Sequence, residues 1–171
     1  MTAAPARDAG GGLRSCEIVD GSLRLVLNNT LDAIEAGRLE IARRLAPLAL
    51  DRRVLNRLEV VFEELISNIV RHGFQAGSEE TIVVMVATRA GAVELTIEDD
   101  GPAYDPAAAP APEPFGALAE AKLGGLGVAL ARRLCAEFRY EPVAPDAQRR
   151  ELGDRVFAPR NRVVAAIATT P

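Results

Sequence analysis

A chain of 171 residues, 49% apolar and 26% charged, has the size and composition of one globular domain with a substantial core, and two domains would be cramped. Its net charge of −4, its interspersed acids and bases and its lack of tryptophan argue against a nucleic-acid or anionic-membrane binder. Cys16 and Cys135 form no CxxC, no run approaches the ~20 apolar residues of a membrane span, and MTAAPARDAGGGLRS lacks the apolar stretch of a secretion signal, so a soluble, cytoplasmic protein with reduced thiols is expected.

Residues 1–14, rich in Ala, Gly and Pro, read as a disordered tail before a single domain at 15–171. Leu23, Leu25 and Leu27 alternate with Arg24 and Val26, which predicts a strand over residues 22–28 with one strongly apolar face. Asn28-Asn29-Thr30 offers caps for a helix over about 31–45, with Ile34, Leu39, Ile41 and Leu45 on its core side. Pro47 breaks that pattern, and Asp51 is placed to cap a longer helix, about 52–72, closed by Gly73 and Gly77. Residues 81–87 are β-rich and 92–97 alternate. The short turn Arg89-Ala90-Gly91 joins them into an antiparallel hairpin that runs into Glu98-Asp99-Asp100-Gly101-Pro102.

Residues 102–123, Pro- and Ala-rich around Phe115-Gly116, are too long for a routine connection and have the length of a lid or binding loop. Gly124-Gly125-Leu126-Gly127 then opens an amphipathic helix over about 128–138. Residues 142–158 show no clean period, and 162–168 form a final strand. The order β, α, α, β, β, lid, α, β lacks regular βαβ alternation. It predicts an α+β fold: a two-layer sandwich whose mixed, mostly antiparallel sheet carries helices on one face.

The second helix has its polar residues in an unusual place. At about 100° per residue, with Glu64 at zero, Asn68 lies roughly 40° and His72 roughly 80° round, while the apolar residues fill an arc from about 60° to about 200°. Asn68 and His72 therefore flank the buried stripe, and Glu64 stands beside them, so a carboxylate and an amide four residues apart can address one object. An amide and an imidazole there need partners, such as a ligand or a metal in a cleft. Asp99, at a strand end, can accept from an amino group such as adenine's, and Gly101 lets a ring approach the backbone. The glycines at 124, 125 and 127 expose N–H groups at the positive end of a helix, a seat for phosphate. Taken singly, these are also what a half-solvated helix edge, a turn and a hinge look like. Together they supply the parts of a nucleotide-triphosphate site: Asn68 holding Mg²⁺ with phosphate oxygens, and Glu64 as base on an attacking hydroxyl.

These boxes resemble those of the GHKL ATPase superfamily. Glu64-Leu-Ile-Ser-Asn68-Ile-Val-Arg-His72-Gly73 is similar to its N box. Asp99-Asp-Gly101-Pro-Ala-Tyr-Asp105-Pro106 is similar to its first glycine box. Gly124-Gly-Leu-Gly127 followed by Val128-Ala-Leu-Ala-Arg-Arg-Leu134 is similar to its second. The wording is most similar to the anti-sigma-factor serine kinases, the RsbW and SpoIIAB type, including Phe138-Arg-Tyr140-Glu and Arg160-Asn-Arg162. The resemblance implies a Bergerat-type ATP-binding fold with ATP and Mg²⁺ as cofactors. It implies Glu64 as catalytic base, Asn68 as Mg²⁺ ligand, Asp99 and Gly101 at adenine, Gly125, Leu126 and Gly127 by the phosphates and lid, and His72 in support. It implies a sigma factor and a STAS-class anti-anti-sigma protein as partners, with a homodimer also open. A non-catalytic ATP-binding partner switch and a stand-alone histidine-kinase catalytic domain are the alternatives. Set against the branch, residues 142–159 are longer and more irregular, and Val163 and Val164 stand where a threonine often enters the last strand.

Overall fold

The chain runs through an edge strand β1 (Leu13–Val19) and β2 (Ser22–Asn28) into two helices, α1 (Asp32–Leu45) and α2 (Arg52–Asn68). The hairpin β3 (Thr81–Arg89) and β4 (Ala92–Asp99) follows, then α3 (Leu126–Leu134), β5 (Glu137–Pro142), a small hairpin β6 (Arg150–Leu152) and β7 (Arg155–Phe157), and the last strand β8 (Asn161–Ala168). This computed structural model describes residues 11–73, 80–106, 126–144, 149–152 and 155–169.

Alternating strands such as β4 and continuous apolar ones, β3 and β8, build the main sheet, in the order β1-β2-β3-β4-β8-β5 with every pairing antiparallel. Register sets Leu25 beside Val84, Val84 beside Ile97 and Ile97 beside Val163, so one face of four central strands is a continuous apolar surface. The helices pack on that face. Leu58, Val61, Phe62, Leu65 and Ile66 of α2 are buried in the same core, joined by Ala131 of α3. The α+β sandwich with helices on one face is the fold expected, with no parallel pair among the described strands. No described helix is long and apolar enough to cross a membrane.

Several boundaries differ from expectation, each for a physical reason. Residues 11–14, assigned to the tail, lie against the domain: the Asn28 N–H donates to Gly12 O at 2.9 Å, the Asn28 side chain to Gly11 O at 2.7 Å, and Leu13 opens β1. Asn28 is therefore spent on the N-terminal segment rather than on capping α1, whose start has no side-chain cap. Leu39 is 53% exposed, because α1 turns Ala33, Gly37, Ile41 and Leu45 inward instead. Gly37 leaves room for the Phe62 ring of α2: a Cβ there would come within 2.5 Å of the ring. Asp51 does cap α2, accepting from the Arg53 N–H at 2.7 Å. The second helix stops being α-helical at Asn68 and continues as a wider π-type turn, Ile69–Gly73. The third helix ends at Leu134 rather than near 138, since Phe138 and Tyr140 pair with Ala165 and Val163 of β8. The unreadable 142–158 stretch contains β6 and β7, three residues each and too short to show a period.

Beneath that hairpin, on the sheet face away from the helices, Glu98 is 2% exposed and held by arginines. Arg162 donates from Nε at 2.8 Å and from a terminal nitrogen at 2.6 Å, and Arg150 of β6 meets the other carboxylate oxygen. Phe157 of β7 is buried, with the Arg150 guanidinium 5.3 Å from its ring centre.

Candidate functional site

The antiparallel order brings the end of β4 and the start of β8 to the same edge of the sheet, where Asp99 stands opposite Asn161. The last turns of α2 pass over this edge. Between them lies a cavity of about 220 Å³. Asn68, His72 and Gly73 line its helix side, and Asp99, Asn161, Ile97 and Val163 its sheet side. Pro102, Ala103, Tyr104 and Pro106 form its rim, so the start of the expected lid closes one wall. Residues 107–123 of that lid lie outside the described residues.

Asp99 is 6% exposed, and its carboxylate is tied down on one oxygen. Oδ1 accepts from the Gly101 N–H and from Asn161 Nδ2, both at 2.9 Å. Burial pushes its pKa up from 3.8 to about 6. The contacts from Asn161 and Gly101 oppose that rise, while Asp100 and Glu80 add to it. A buried carboxyl with a raised pKa that faces a cavity is a candidate functional group.

The structure brings some of the expected residues together. Asn68 and His72 line the cavity with Asp99, and Gly101 is buried beside it. Glu64 is half-buried on the same helix but is absent from the described lining. Its carboxylate lies against Gly127 near the start of α3, so close that a Cβ on Gly127 would stand 1.8 Å from Oε2. Gly127 is thus beside the expected base, while Gly125 lies outside the described residues and Leu126 is known only as the first residue of α3. Sequence reasoning did not assign a role to Asn161 or Tyr140. Both fall in stretches that resemble the family, Arg160-Asn-Arg162 and Phe138-Arg-Tyr140-Glu, and Asn161 with Arg162 opens an otherwise apolar strand.

The donor set fits a nucleotide better than a bare metal. Among the described residues no three His, Cys, Asp or Glu side chains cluster to hold an ion. A divalent cation at Asn68 would need most of its oxygens from phosphates, as Mg²⁺ in phosphate sites commonly does. Asp99 offers a buried acceptor, and the apolar Ile97 and Val163 offer a floor for a flat ring. A second cavity of about 150 Å³, between α1 and α2, is lined chiefly by apolar residues. Its Arg38 is already engaged by Glu35 at 2.9 Å and Glu59 at 3.5 Å, which leaves little to recognise phosphate.

Comparison with known proteins points the same way. Residues 27–148 match the family model of the histidine kinase-like ATPase domain. Over 84 residues the chain is 33% identical to the serine/threonine-protein kinase BtrW of Bordetella bronchiseptica, an alignment covering 49% of this chain and 59% of that protein. The chain therefore spans less than two thirds of the length of that relative. Its backbone is similar to the solved RsbU and RsbW domains of Rv1364c from Mycobacterium tuberculosis, with a TM-score of 0.55 and 19% identity over 86% of this chain and 32% of that one. At that identity the likeness concerns the fold.

Proposed function

The chain belongs to the histidine kinase-like ATPase domain family, and on that premise we propose that it is an ATP-dependent serine/threonine kinase and anti-sigma factor. In this reading it binds Mg·ATP between α2 and the β4–β8 edge, sequesters a sigma factor, and phosphorylates a STAS-class anti-anti-sigma protein. The observation that carries it is the meeting of Asn68, His72 and Asp99 in one cavity, with Gly101 beside it and Glu64, on the same helix, against Gly127. The kinase name of the Bordetella relative adds support.

Each residue then has a task. Asp99 accepts from the amino group of adenine, and Gly101 lets the base lie close to the backbone. Asn68 presents its amide oxygen to the cation. Mg²⁺, when bound there, would supply neutralisation of phosphate charge. Glu64 takes the proton of the acceptor's serine or threonine hydroxyl as that oxygen bonds to the γ-phosphorus and the bond to the ADP oxygen breaks. The test is incubation with labelled ATP, Mg²⁺ and the cognate STAS protein: transfer of label to that protein supports the reading, and its absence rejects the kinase.

One observation favours a second reading. Glu64 rests on Gly127 rather than lining the cavity, as suits a module in which ATP orders the fold and the partner is held without chemistry. Glu64→Gln separates the two. Loss of transfer with ATP affinity kept is expected of the kinase, whereas unaltered partner regulation with unaltered ATP affinity is expected of the non-catalytic switch.

A further inference from the structure

We propose that Asn161 is the positioning residue of this pocket: its side-chain amide sets which oxygen of Asp99 faces a ligand and pins the Pro102-to-Tyr104 rim to the same point. The ligand part rests on the nucleotide reading above, while the positioning part stands on geometry alone.

Asn161 is 4% exposed, and its side-chain amide makes five contacts. Nδ2 donates to Asp99 Oδ1 at 2.9 Å, to Gly101 O at 3.3 Å and to Pro102 O at 3.0 Å. Oδ1 accepts from the Tyr104 N–H at 3.1 Å and from the Tyr140 hydroxyl at 2.8 Å. Chemistry fixes the orientation of the amide. One end meets three oxygens that act as acceptors, and the other meets a backbone N–H that can only donate. A flipped amide would oppose like to like at both ends.

Two consequences follow. Asp99 Oδ1, which accepts from both Gly101 and Asn161, has its lone pairs occupied. No donor among the described residues meets Oδ2, so that oxygen is the acceptor Asp99 offers. A ring bearing an exocyclic amino group is favoured there, and one bearing a carbonyl at that position is repelled. The second consequence is mechanical: β8, β5 and the rim share one side chain, so a change at Asn161 reaches Asp99 and the wall of the cavity together.

The electrostatic surroundings make the role measurable. Asp100 and Glu80 act on Asp99 as like charges, Tyr140 of β5 lies within electrostatic reach of both Asp99 and Asp105, and His72 shares the cavity. Against burial and these acids, the bonds from Asn161 and Gly101 favour the ionised form.

The experiment uses the full chain and the variants Asn161→Asp and Asn161→Ser. The Asp99 carboxyl is titrated by NMR with carboxyl-labelled aspartate, using Asp99→Asn to assign its signal, and ATP and GTP affinities are measured by calorimetry across pH. The expected result is a rise of about one pH unit or more in the Asp99 midpoint in both variants. At neutral pH, ATP affinity should fall at least about tenfold, with a narrower preference over GTP. Tyr140→Phe, which removes only the outer contact, should give a smaller change in the same direction. An Asp99 midpoint that stays at the parent value in both Asn161 variants overturns the proposal, whether or not nucleotide binds. A parent protein that takes up no ATP instead defeats the nucleotide reading, and the carboxyl titration still decides the role of Asn161.

Discussion

Asp99 stores a pH dependence that can be read with no ligand present. Its pKa in the fold is about 6 against 3.8 for the free side chain, chiefly because burial disfavours the charge. A carboxyl whose pKa is raised by folding binds its proton more tightly in the native state. The stability it contributes is full below about pH 4 and is lost as pH rises through 6. The difference is about 3 kcal/mol at 1.36 kcal/mol per unit. Asp99→Asn should therefore remove a decline in stability between pH 4 and 6, seen as a flatter denaturant midpoint against pH than in the parent. The same variant places a donor where adenine needs an acceptor and should abolish ATP binding. Gly127→Ala is the second residue-scale prediction. The new Cβ collides with the Glu64 carboxylate, which a flexible side chain can evade with little loss of stability. In the proposed kinase Glu64 is the base, and its displacement by about 1 Å can cost about 100-fold in rate. Phosphoryl transfer should drop by that order while the thermal midpoint stays near the parent's. Helical periodicity alone made Glu64, Asn68 and His72 legible as one edge, and Asp99 was legible as an acid at a strand end. Asn161 lay in a stretch that resembles the family, but its role was not legible, because it comes from a partner 62 positions away in sequence.

At the scale of elements, long alternating or amphipathic stretches were legible and short or small-residue ones were not. β2, β4 and α2 carry their own period, and β3 is a continuous apolar run of strand length. α1 hides its buried seam in Ala33 and Gly37, where hydrophobicity is weakest and close approach to Phe62 decides. β6 is anchored by charge, through Arg150, and β7 by the buried Phe157 ring. Glu98 is buried and its arginines come from β6 and β8, so loss of Arg162 strips Oε1 of both its donors while Arg150 still meets Oε2. Arg162→Ala should cost about 1.5–3 kcal/mol, the range for losing hydrogen bonds to a charged group, measured by urea unfolding. Asp51→Ala, which removes only a surface cap, should cost about 1 kcal/mol in the same assay. If the two costs are similar, the Glu98 cluster is not the anchor described here.

For the whole molecule, the sheet order matters because it places β4 and β8 side by side although 61 residues separate the end of one from the start of the other. That adjacency lets Asp99 and Asn161 share a cavity with the last turns of α2. Sequence order suggested the layers, but strand neighbours are set by long-range pairing that no local pattern states. A ligand held between helix and sheet stabilises both, and at 100 times its Kd it adds about 2.7 kcal/mol. Asn68→Ala should retain the fold and lose the Mg²⁺-dependent part of that gain. The most direct measurement is calorimetric titration of the full chain with ATP, with Mg²⁺ and again with the cation chelated. The expected result is a single site whose affinity depends on Mg²⁺ in the parent and no longer does in Asn68→Ala. No binding in either condition, or equal affinity with and without Mg²⁺ in the parent, would contradict a pocket built around a magnesium-bound triphosphate.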